Sequence, residues 1–564
     1  MQHLGSIVLT HSPSVELRSG KCYDIAVIGA GISSAYTLIQ YISQLEQQSL
    51  TSRAISEQHS AVKIVVTEKS DQFWTGMPYG NRSGRNALLI SSLKEFIPQQ
   101  LERENFIAWL NKNRHWIFDP ATSNQGALSR KWLAANAAAM SEGLWDELFI
   151  PRYTFGLYLR ERIATVIERA TTAGLVEVDL LTVDVQDIQH HQDLYRVDIT
   201  AADGHDTHFI AKKVVLAIGS PPNIAFEQPQ ADEGAICYID NMYHPSLDSN
   251  IDQFCKSLAQ VDPQAKRQVL IVGSNAGTLD TLYSINNSSA LSNLIDKFII
   301  LSPNAAFPHR INRDVQLAHE PQHLLALVAQ TEAFTAKQIC TAVEQDTAVA
   351  VAQNINISDI YADISKLVMQ TLNLLNFDEQ KQFVTRYAVE IGKFQRRAGG
   401  EYLDVVDSLI AQHKLDFLKG RFVKYSPLAA GANCEYIDSQ DCQQKVFETP
   451  VNVIINCGGF QDVTKSSSVL IQNLLERKIC VSNESSRGLT IDRDYQANHN
   501  FYVMGPLIAG NIDGNLRVWH AESCQRIISL SQQLAAVLLT DRSELAPAVV
   551  VPSVEELGVL VSAT

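Results

Sequence analysis

The chain has 564 residues, of which 46% are hydrophobic and 19% are charged, so it is long enough for several domains with buried cores. Its formal net charge of −15, from 46 basic and 61 acidic residues, disfavours nucleic acid and anionic membranes as partners. No apolar run reaches the ~18 residues that a membrane span needs, and the first residues lack the basic start of a signal peptide.

The nine cysteines are scattered along the chain, and no two of them form a CxxC pair. This spacing disfavours a disulfide scaffold, a zinc ribbon and a dithiol redox centre. We therefore predict reduced cysteines, no metal site and a cytoplasmic location.

Seven short, apolar segments rich in β-branched residues have the composition of parallel strands covered on both faces. They are YDIAVIG (23–29), KIVVTE (63–68), KKVVLAIG (212–219), RQVLIVG (267–273), KFIILS (297–302), VNVIINCG (451–458) and NFYVMG (500–505). Helical patterns follow several of them, which is typical of an α/β fold. Residues 321–422 have helical periodicity instead, as in DISKLVMQTLNLLNF (363–377) and DVVDSLIAQHKLDFL (404–418).

The first predicted strand leads into a turn and a helix in YDIAVIGAGISSAYTLIQYI, residues 23–42. This is the context that the dinucleotide-binding fingerprint requires. Gly29 permits the tight turn, Gly31 lets a pyrophosphate approach the backbone, and Ser34 is small enough for the helix to pack closely on the strand. The helix N-terminus then offers N–H groups and a positive dipole end to the phosphates.

An acidic residue, Glu68, ends the second predicted strand, where it can accept hydrogen bonds from both ribose hydroxyls. It lies 39 residues after Gly29 (68 − 29), against a usual gap of about 20, and we assign the excess to a polar surface insertion at 44–60. The alternative is a core strand-turn-helix with an incidental glutamate. The irregular stretch FWTGMPYGNRSGRNALLISSLKEF (73–96) favours FAD over NAD, because loops rich in glycine and aromatic residues wrap a flavin.

A second stretch, RQVLIVGSNAGTLDTLYSI (267–285), has the pattern of another strand, turn and helix. Gly273 is the turn glycine, Asn275 stands where the second glycine belongs, and Thr278 takes the third position. Asparagine tolerates a left-handed backbone better than other non-glycine residues, so we expect Asn275 in that conformation. We predict a modified NAD(P)H site here, formed with Ser274, and the alternative is a purely structural relic.

Several motifs occur in the order found in one group of FAD/NAD(P)-binding proteins. They are GMPYG with ALLI, FIAWL, FIPRYTFGLYLRERI, VVLAIGSPP, VLIVGSNAGTLD, INCGGF and MGPLIAGN with VWHAE. The chain resembles this group from about Tyr23 to Leu539, and the characterised members are of the FAD-dependent urate hydroxylase and aspartate N-monooxygenase type.

The resemblance and the two motifs together predict an α/β fold with two dinucleotide-binding, Rossmann-like domains, a discontinuous FAD domain and a helical insertion. We place an N-terminal tail at 1–20, the first part of the FAD-binding domain at 21–235, an NAD(P)-binding domain at 236–320, a helical insertion or substrate region at 321–422, the return of the FAD-binding domain at 423–545 and a C-terminal tail at 546–564.

The resemblance implies cofactor contacts for matching residues. These are Gly29, Ala30, Gly31, Ser33 and Ser34 for the FAD pyrophosphate, Glu68 and Lys69 for the adenosine ribose, Tyr79, Leu88 and Ser91 for the flavin, Gly219 for the end of the first nucleotide lobe, and Gly505, Gly510 and Asn511 for the C-terminal return beside the isoalloxazine. Arg152 and Tyr158 also match recurring positions of the group, and Arg152 is expected to support a loop.

The sequence departs from the group after the strand at 297–302. Members often carry arginines there, which would bind the 2′-phosphate of NADP, but this chain has Ser302, Pro303 and Asn304. Arg310 and Arg313 are candidate substitutes. No acidic residue favours NAD either, so the choice between NADH and NADPH stays open.

The bound flavin would carry the chemistry. The resemblance implies that NAD(P)H reduces it and that molecular oxygen converts it to a C4a-(hydro)peroxide, which hydroxylates a small polar metabolite by amino-acid N-hydroxylation or purine-type hydroxylation. Arg396 and Arg397 are candidates for binding a substrate carboxylate or acidic purine, and a solvated helix end is the alternative. A flavin oxidase or reductase without oxygenated product and a non-catalytic FAD-binding module are the other functions that stay open.

Overall fold

The computed structural model describes residues 20–52, 60–119, 126–201, 204–226, 236–312, 320–394, 396–428, 431–513, 516–518 and 523–540. The chain divides into two compact units, which are unit 1 (residues 1–76, 159–220 and 463–564) and unit 2 (residues 77–158 and 221–462). Residues 77–158, which we expected in the FAD-binding part, are counted with unit 2. The six segments predicted above divide the chain by cofactor rather than by compactness, and they remain predictions.

The strands of the described residues are β1 (Cys22–Ile28), β2 (Val62–Glu68), β3 (Val176–His191), β4 (Leu194–Ala201), β5 (Asp206–Leu216), β6 (Cys237–Ile239), β7 (Gln268–Val272), β8 (Lys297–Ser302), β9 (His309–Arg310), β10 (Arg397–Ala398), β11 (Leu415–Leu428), β12 (Gly431–Asp438), β13 (Gln444–Val446), β14 (Val453–Asn456), β15 (Gln496–Asn498), β16 (Phe501–Val503), β17 (Asn511–Asp513) and β18 (Leu516–Val518).

The α-helices of the described residues are α1 (Ile32–Ser52), α2 (Gly76–Tyr79), α3 (Leu93–Phe96), α4 (Gln100–Ile117), α5 (Ala127–Glu142), α6 (Arg152–Thr172), α7 (Leu247–Ala259), α8 (Ala276–Asn287), α9 (Ser289–Leu294), α10 (Gln322–Ala329), α11 (Ala336–Ala352), α12 (Ile357–Leu374), α13 (Phe377–Gln382), α14 (Ala388–Phe394), α15 (Gly400–Ala411), α16 (Val469–Glu476) and α17 (Cys524–Thr540).

Unit 1 is built on a sheet whose described strands follow the order β1–β2–β3–β4–β5–β16–β15, and β1 also pairs with β5. The strands β2, β1, β5 and β16 are parallel, and α1 follows β1 directly. The long strand β3 pairs in parallel with β2 over its first half and antiparallel with β4 over its second half. Ala26, Val27 and Val65 are fully buried, as expected for strands covered on both faces.

Unit 2 contains a second sheet, whose described strands follow the order β13–β12–β11–β8–β7–β14–β6. The strands from β11 to β6 are parallel, and β12 and β13 extend the sheet in antiparallel fashion. Leu270, Leu301 and Ile454 are fully buried and pack with Tyr425 from the second half of β11 and with Cys434 of β12. The helix α8 follows β7 directly, so the strand-turn-helix of unit 1 occurs again here.

The seven strands predicted from the sequence are all present, as β1, β2, β5, β7, β8, β14 and β16, and the α/β fold class is confirmed. The helical prediction for 404–418 is wrong at its end. The helix stops at Ala411, and Leu415–Leu418 begins β11, because these residues pair with Phe298–Leu301 of β8. The supposed insertion at 44–60 is also helical in part, since α1 continues through Ser52. Tertiary pairing and helix continuation outweighed the local signal.

Two helical glycines provide a matched test of close packing. A Cβ on Gly156 of α6 would lie 1.9 Å from the carbonyl oxygen of Tyr79, whereas a Cβ on Gly392 of α14 would meet nothing within 4 Å. We expect Gly156→Ala to lower the free energy of unfolding by about 2 kcal/mol or more through overpacking. Gly392→Ala should raise it by about 0.5–1 kcal/mol, because alanine is the better helix former. Urea unfolding of both variants checks this, and similar shifts of the same sign would contradict the close contact.

Candidate functional site

The turn between β1 and α1 in unit 1 requires glycine at its first position. Gly29 has a φ of +91°, and a Cβ there would lie 2.7 Å from the carbonyl oxygen of Ala217. The Gly29 N–H donates to the Thr67 carbonyl at 2.9 Å, and its own carbonyl accepts from the Ser34 hydroxyl. The turn is therefore fixed to the neighbouring strand on one side and to the first turn of the helix on the other.

Gly31 in the same turn has no such internal requirement. A Cβ there would meet only the Gly76 Cα, at 3.8 Å, which is ordinary contact. The backbone N–H groups of Ile32, Ser33 and Ser34 have no hydrogen-bond partner among the described residues. Open space beside unpaired N–H groups at a helix N-terminus fits the pyrophosphate of a dinucleotide.

The Glu68 carboxylate at the end of β2 holds this turn in shape. It accepts from the Ala30 N–H at 3.0 Å and from the Ser70 N–H and hydroxyl at 3.1 and 3.0 Å. Each carboxylate oxygen has more than one acceptor position, so capacity remains for ribose hydroxyls. Lys69 follows Glu68 and is exposed. These residues fit a dinucleotide bound across the β1–α1 turn.

The chain after β16 returns to the same turn. Gly505 has a φ of +88°, and a Cβ there would lie 2.7 Å from the Ser33 hydroxyl oxygen. Gly510 also has a positive φ, of +93°, and a Cβ there would lie 2.1 Å from the Ser485 hydroxyl oxygen. Gly219, with a φ of +85°, lies just beyond β5 and has open space around it.

The side chain of Asn511 in unit 1 forms hydrogen bonds with the surrounding main chain. Its side chain is buried, accepts from the Ile491 N–H at 3.0 Å and donates to the carbonyls of Leu489 and Ile508 at 2.7 and 2.9 Å. These three bonds hold the loop that contains Gly510. The residue therefore orders the C-terminal return through its side chain.

The turn between β7 and α8 in unit 2 has the same arrangement of glycine and hydroxyl group as the β1–α1 turn in unit 1. Gly273 has a φ of +110°, and a Cβ there would lie 2.2 Å from the carbonyl oxygen of Cys457. The Thr278 hydroxyl donates to the Gly273 carbonyl at 2.9 Å, as Ser34 does to Gly29. The predicted strand-turn-helix is confirmed, and Ser274 is half-buried in it.

The expectation of a left-handed Asn275 is wrong, since its φ and ψ are −97° and −170°. It is the N-cap of α8 instead. Its Oδ1 accepts from the N–H groups of Gly277 and Thr278 at 3.0 and 3.4 Å, and its Nδ2 donates to the Cys457 carbonyl at 2.9 Å. Asparagine is a preferred N-cap residue, which explains this conformation. The Thr278 N–H also donates to the Asn275 main-chain carbonyl at 3.1 Å, so these N–H groups of α8 are satisfied within the turn.

The three residues that we expected near a flavin lie in unit 2. Tyr79 is 7% exposed, and its ring packs edge-on against Phe155 at a centroid distance of 5.2 Å. Leu88 is 2% exposed and forms a β-bridge with Pro151. Ser91 is half-buried and is the most accessible of the three.

A buried ion pair in unit 2 was not predicted from the sequence. The Asp280 carboxylate accepts from Arg152 and from the Tyr243 hydroxyl, both at 2.7 Å, and also from the Tyr402 hydroxyl. Burial lowers the pKa of the Arg152 guanidinium, but Asp280 and the two tyrosines raise it more, so that the net shift is upward. Burial and the same carboxylate raise the pKa of Tyr402. In the sequence, this ion pair was indicated only by Asp280, a charged residue within the otherwise apolar face of TLDTLYSI (278–285).

The structure does not present Arg396 and Arg397 as a pair of available cations. The Arg397 guanidinium lies 3.8 Å from the centroid of the Tyr361 ring and contacts both carboxylate oxygens of Glu95 at 3.4 Å. Arg396 is exposed. Their role in binding substrate stays a prediction.

Arg310, a candidate for binding a 2′-phosphate, is also engaged. It pairs with Asp404 at 2.8 Å and with Asp407 at 2.6 Å. The other candidate, Arg313, lies outside the described residues. The choice between NADH and NADPH stays open.

The nine cysteines all lie in the described part of the chain and are free thiols. Cys457, whose carbonyl contacts the α8 turn, has its thiol pKa raised to about 11 by burial. No group of three or more potential metal ligands occurs among the described residues. Within the same ranges, no helix combines the length and the apolar character needed to cross a membrane.

Residues 26–221 match a protein-family model described as FAD-NAD(P)-binding. The chain is 30% identical over 518 residues to the uncharacterized protein Rv3403c of Mycobacterium tuberculosis and to the uncharacterized protein Mb3437c of Mycobacterium bovis. Each match covers 92% of this chain and 95% of the relative.

Among solved structures, the chain is similar to DfoA from Erwinia amylovora, the cadaverine monooxygenase of the desferrioxamine pathway, which was solved bound to FAD. The identity is 12%, the TM-score is 0.50, and the match covers 92% of this chain and 95% of DfoA. At this identity, the similarity concerns the fold only.

The family-model match at the first nucleotide turn, together with relatives that match over nearly their whole length, shows that the chain belongs to the FAD/NAD(P)-binding family.

Proposed function

We propose that the protein is an FAD-dependent monooxygenase that uses NAD(P)H and molecular oxygen to hydroxylate a small polar metabolite. The observation that carries the proposal is the β1–α1 turn, where Gly31 leaves open space beside three unpaired N–H groups. A bound FAD would accept a hydride from NAD(P)H and activate oxygen for transfer to the substrate. The repeat of the turn at Gly273 supports a second dinucleotide site in unit 2.

In unit 1, the residues of the turn would bind and orient FAD. The N–H groups of Ile32, Ser33 and Ser34 would donate to the pyrophosphate, and the positive end of the α1 dipole would favour its charge. The Glu68 carboxylate would accept from the adenosine ribose while it still holds the Ala30 N–H.

In unit 2, the Asn275 side chain would give up its N–H partners when NAD(P)H binds. The pyrophosphate would take over the N–H group of Gly277, so that a hydrogen bond is exchanged rather than added. Such an exchange lowers the net affinity. Modest affinity suits a cosubstrate that must bind and leave in every catalytic cycle, whereas FAD stays bound.

For the substrate, we place amines and amino acids before purine-like compounds. DfoA is a cadaverine monooxygenase with the same fold, and this supports N-hydroxylation as the first reaction to test. The free, separated cysteines disfavour a disulfide reductase, whose chemistry needs a nearby dithiol.

The capped α8 turn favours one alternative function. If the Asn275 carboxamide stays on its N–H groups, the second turn serves only the packing of unit 2. The protein would then be a FAD-binding redox module that does not accept NAD(P)H.

Anaerobic stopped-flow spectroscopy tests the proposed function. We expect purified protein to contain FAD and the flavin to be reduced by NADPH or NADH. In air, an amine or amino acid should then raise oxygen uptake and give a hydroxylated product by mass spectrometry. Peroxide formed in proportion to NAD(P)H, whatever substrate is added, would indicate an oxidase, and a flavin that NAD(P)H does not reduce would indicate the redox module.

Replacing Gly31 separates ligand binding from folding. Gly31→Ala fills the space beside the α1 N-terminus without a collision inside the protein. We expect FAD affinity to fall about tenfold or more, equivalent to ~1.4 kcal/mol, and the unfolding free energy of the apoprotein to change by less than ~0.5 kcal/mol.

Gly29→Ala is the control, and it should destabilise the apoprotein because of its positive φ and the Ala217 contact. FAD titration and urea unfolding give both quantities. Unchanged FAD affinity in Gly31→Ala would place the pyrophosphate elsewhere.

Replacing Asn275 tests the second turn. Asn275→Gly frees the N–H group of Gly277, while the Thr278 N–H keeps its bond to the main-chain carbonyl of residue 275. We expect NAD(P)H to bind as tightly as before or more tightly, by up to roughly tenfold. Asn356→Gly is the matched control, because Asn356 caps α12 in the same way, with Oδ1 3.0 Å from the Ser358 nitrogen and Nδ2 3.0 Å from the Arg310 carbonyl oxygen. Each change should cost only a few tenths of a kcal/mol of stability.

Titration of NAD(P)H into each variant distinguishes the effects of the two caps. Weaker binding in Asn275→Gly alone would show that the carboxamide itself contacts the dinucleotide. If Gly273→Ala and Asn275→Gly both leave flavin reduction unchanged, the nicotinamide cosubstrate does not bind at this turn.

A further inference from the structure

A cavity of about 780 Å³ lies within unit 2, between the helices α5, α8 and α15. The helix α8 packs against both of the other helices. Apolar side chains form part of the cavity wall, namely Leu128 of α5 and Val405 and Leu409 of α15. Small-molecule sites in proteins have volumes of about 300–1,000 Å³. The cavity is therefore large enough for a ligand, and the described residues that line it include none from either nucleotide turn.

Two polar oxygen atoms face this cavity without a hydrogen-bond partner among the described residues. They are the hydroxyl oxygen of Tyr283 on α8 and Oδ1 of Asn136 on α5. The two residues are only 2% and 8% exposed, yet neither oxygen is closed off from solvent. The Asn136 Nδ2 donates to the Trp132 carbonyl at 2.8 Å, which leaves Oδ1 as the available acceptor. Buried polar groups are normally hydrogen-bonded, so these two oxygens point to a ligand.

The charges around the cavity favour a cation. Glu401 of α15 also lines the cavity and is half-buried. Burial and the nearby Glu401 carboxylate raise the pKa of Tyr283, so its hydroxyl stays protonated at neutral pH. Asp404, a second acidic residue of the lining, pairs with Arg310 at 2.8 Å, and Lys131, the one basic residue among the described lining residues, is exposed. The Glu401 carboxylate would attract an organic cation into the cavity.

We propose that this cavity binds a small organic amine in its protonated form. An ammonium group has three donors and no acceptor, which matches a cavity whose unpartnered polar atoms are oxygens. It would donate to the Glu401 carboxylate and to the Tyr283 hydroxyl, with Asn136 Oδ1 as a further acceptor in the same cavity. The Trp132 side chain, which also lines the cavity, offers an aromatic surface to the cation or to its hydrocarbon part. Binding of the amine at this site does not depend on the proposed function.

Three probes of similar shape but different charge test the proposal on the wild-type protein. Benzylamine is a cation at neutral pH, benzyl alcohol is neutral and benzoate is an anion. Isothermal titration calorimetry should show that benzylamine binds at least about tenfold more tightly than either of the others. Equal affinities, or a preference for benzoate, would overturn the proposal.

Glu401→Gln tests the role of the carboxylate, with Asp407→Asn as its matched control. Both acidic residues lie on α15, but the Asp407 side chain is 68% exposed, pairs with Arg310 at 2.6 Å and does not line the cavity. We expect the affinity for benzylamine to fall about tenfold in Glu401→Gln. In Asp407→Asn it should change by less than about twofold, because solvent and salt screen an exposed charge. Equal losses in both variants would show that the amine responds only to the overall negative charge, and would contradict the site.

Tyr283→Phe gives a second test that does not depend on the folding of Glu401→Gln. Because the Tyr283 hydroxyl has no partner among the described residues, its removal should leave the free energy of unfolding close to that of the wild type. We expect benzylamine to bind roughly threefold to tenfold more weakly, since one acceptor of the ammonium group is lost. Wild-type affinity in a folded Tyr283→Phe protein would overturn the assigned contact.

Turnover measurements distinguish two sources of the amine. If the bound amine is a substrate, Glu401→Gln should slow its hydroxylation. If it is an effector, it should change the rate of flavin reduction without giving a hydroxylated product. Binding at the cavity supports the proposal in both cases. A wild-type protein that binds benzylamine but whose flavin NAD(P)H fails to reduce would refute the proposed function alone, so the two failures are distinguishable.

Discussion

A steric constraint at the start of two helices shapes both units. In each unit, a helix begins directly after a buried parallel strand, at a point where a neighbouring carbonyl oxygen occupies the space of a Cβ. Gly29 meets Ala217 in unit 1, and Gly273 meets Cys457 in unit 2, both with a positive φ. Glycine alone satisfies both conditions. The direction of α1 and α8, and the location of their N-termini at the carboxyl ends of the strands, follow from this constraint.

The two turns differ two residues after the turn glycine, where unit 1 has Gly31 and unit 2 has Asn275, and in the proposed function this difference separates two kinds of binding. The N–H groups at the start of α8 have hydrogen-bond acceptors without a ligand, because the Asn275 side chain caps the helix. The α1 turn has Gly31 there, and its first N–H groups lack partners among the described residues. A ligand that satisfies these groups stabilises the folded protein by binding it preferentially. FAD as a resident cofactor of unit 1 and NAD(P)H as an exchangeable ligand of unit 2 are consistent with this contrast.

Much of the fold was predictable because the parallel strands are continuous apolar runs followed by glycine. The strands β3, β4 and β12 were not, since their residues alternate between buried and partly exposed and carry many polar side chains. The conformation of Asn275 was mispredicted because a fingerprint gives positions but does not show which residue takes the positive φ. The partnership of Asp280 with Arg152 depends on tertiary contact across 128 residues (280 − 152), and no local pattern reports it.

Oxygen labelling tests the proposed monooxygenase activity, because it follows the oxygen atom instead of the flavin. The protein would be incubated with NAD(P)H, ¹⁸O₂ and the amine or amino acid that most stimulates oxygen uptake. A monooxygenase should give a hydroxylated product that carries one labelled oxygen atom for each NAD(P)H oxidised. Label recovered only in hydrogen peroxide and water, with the substrate unchanged, would contradict it.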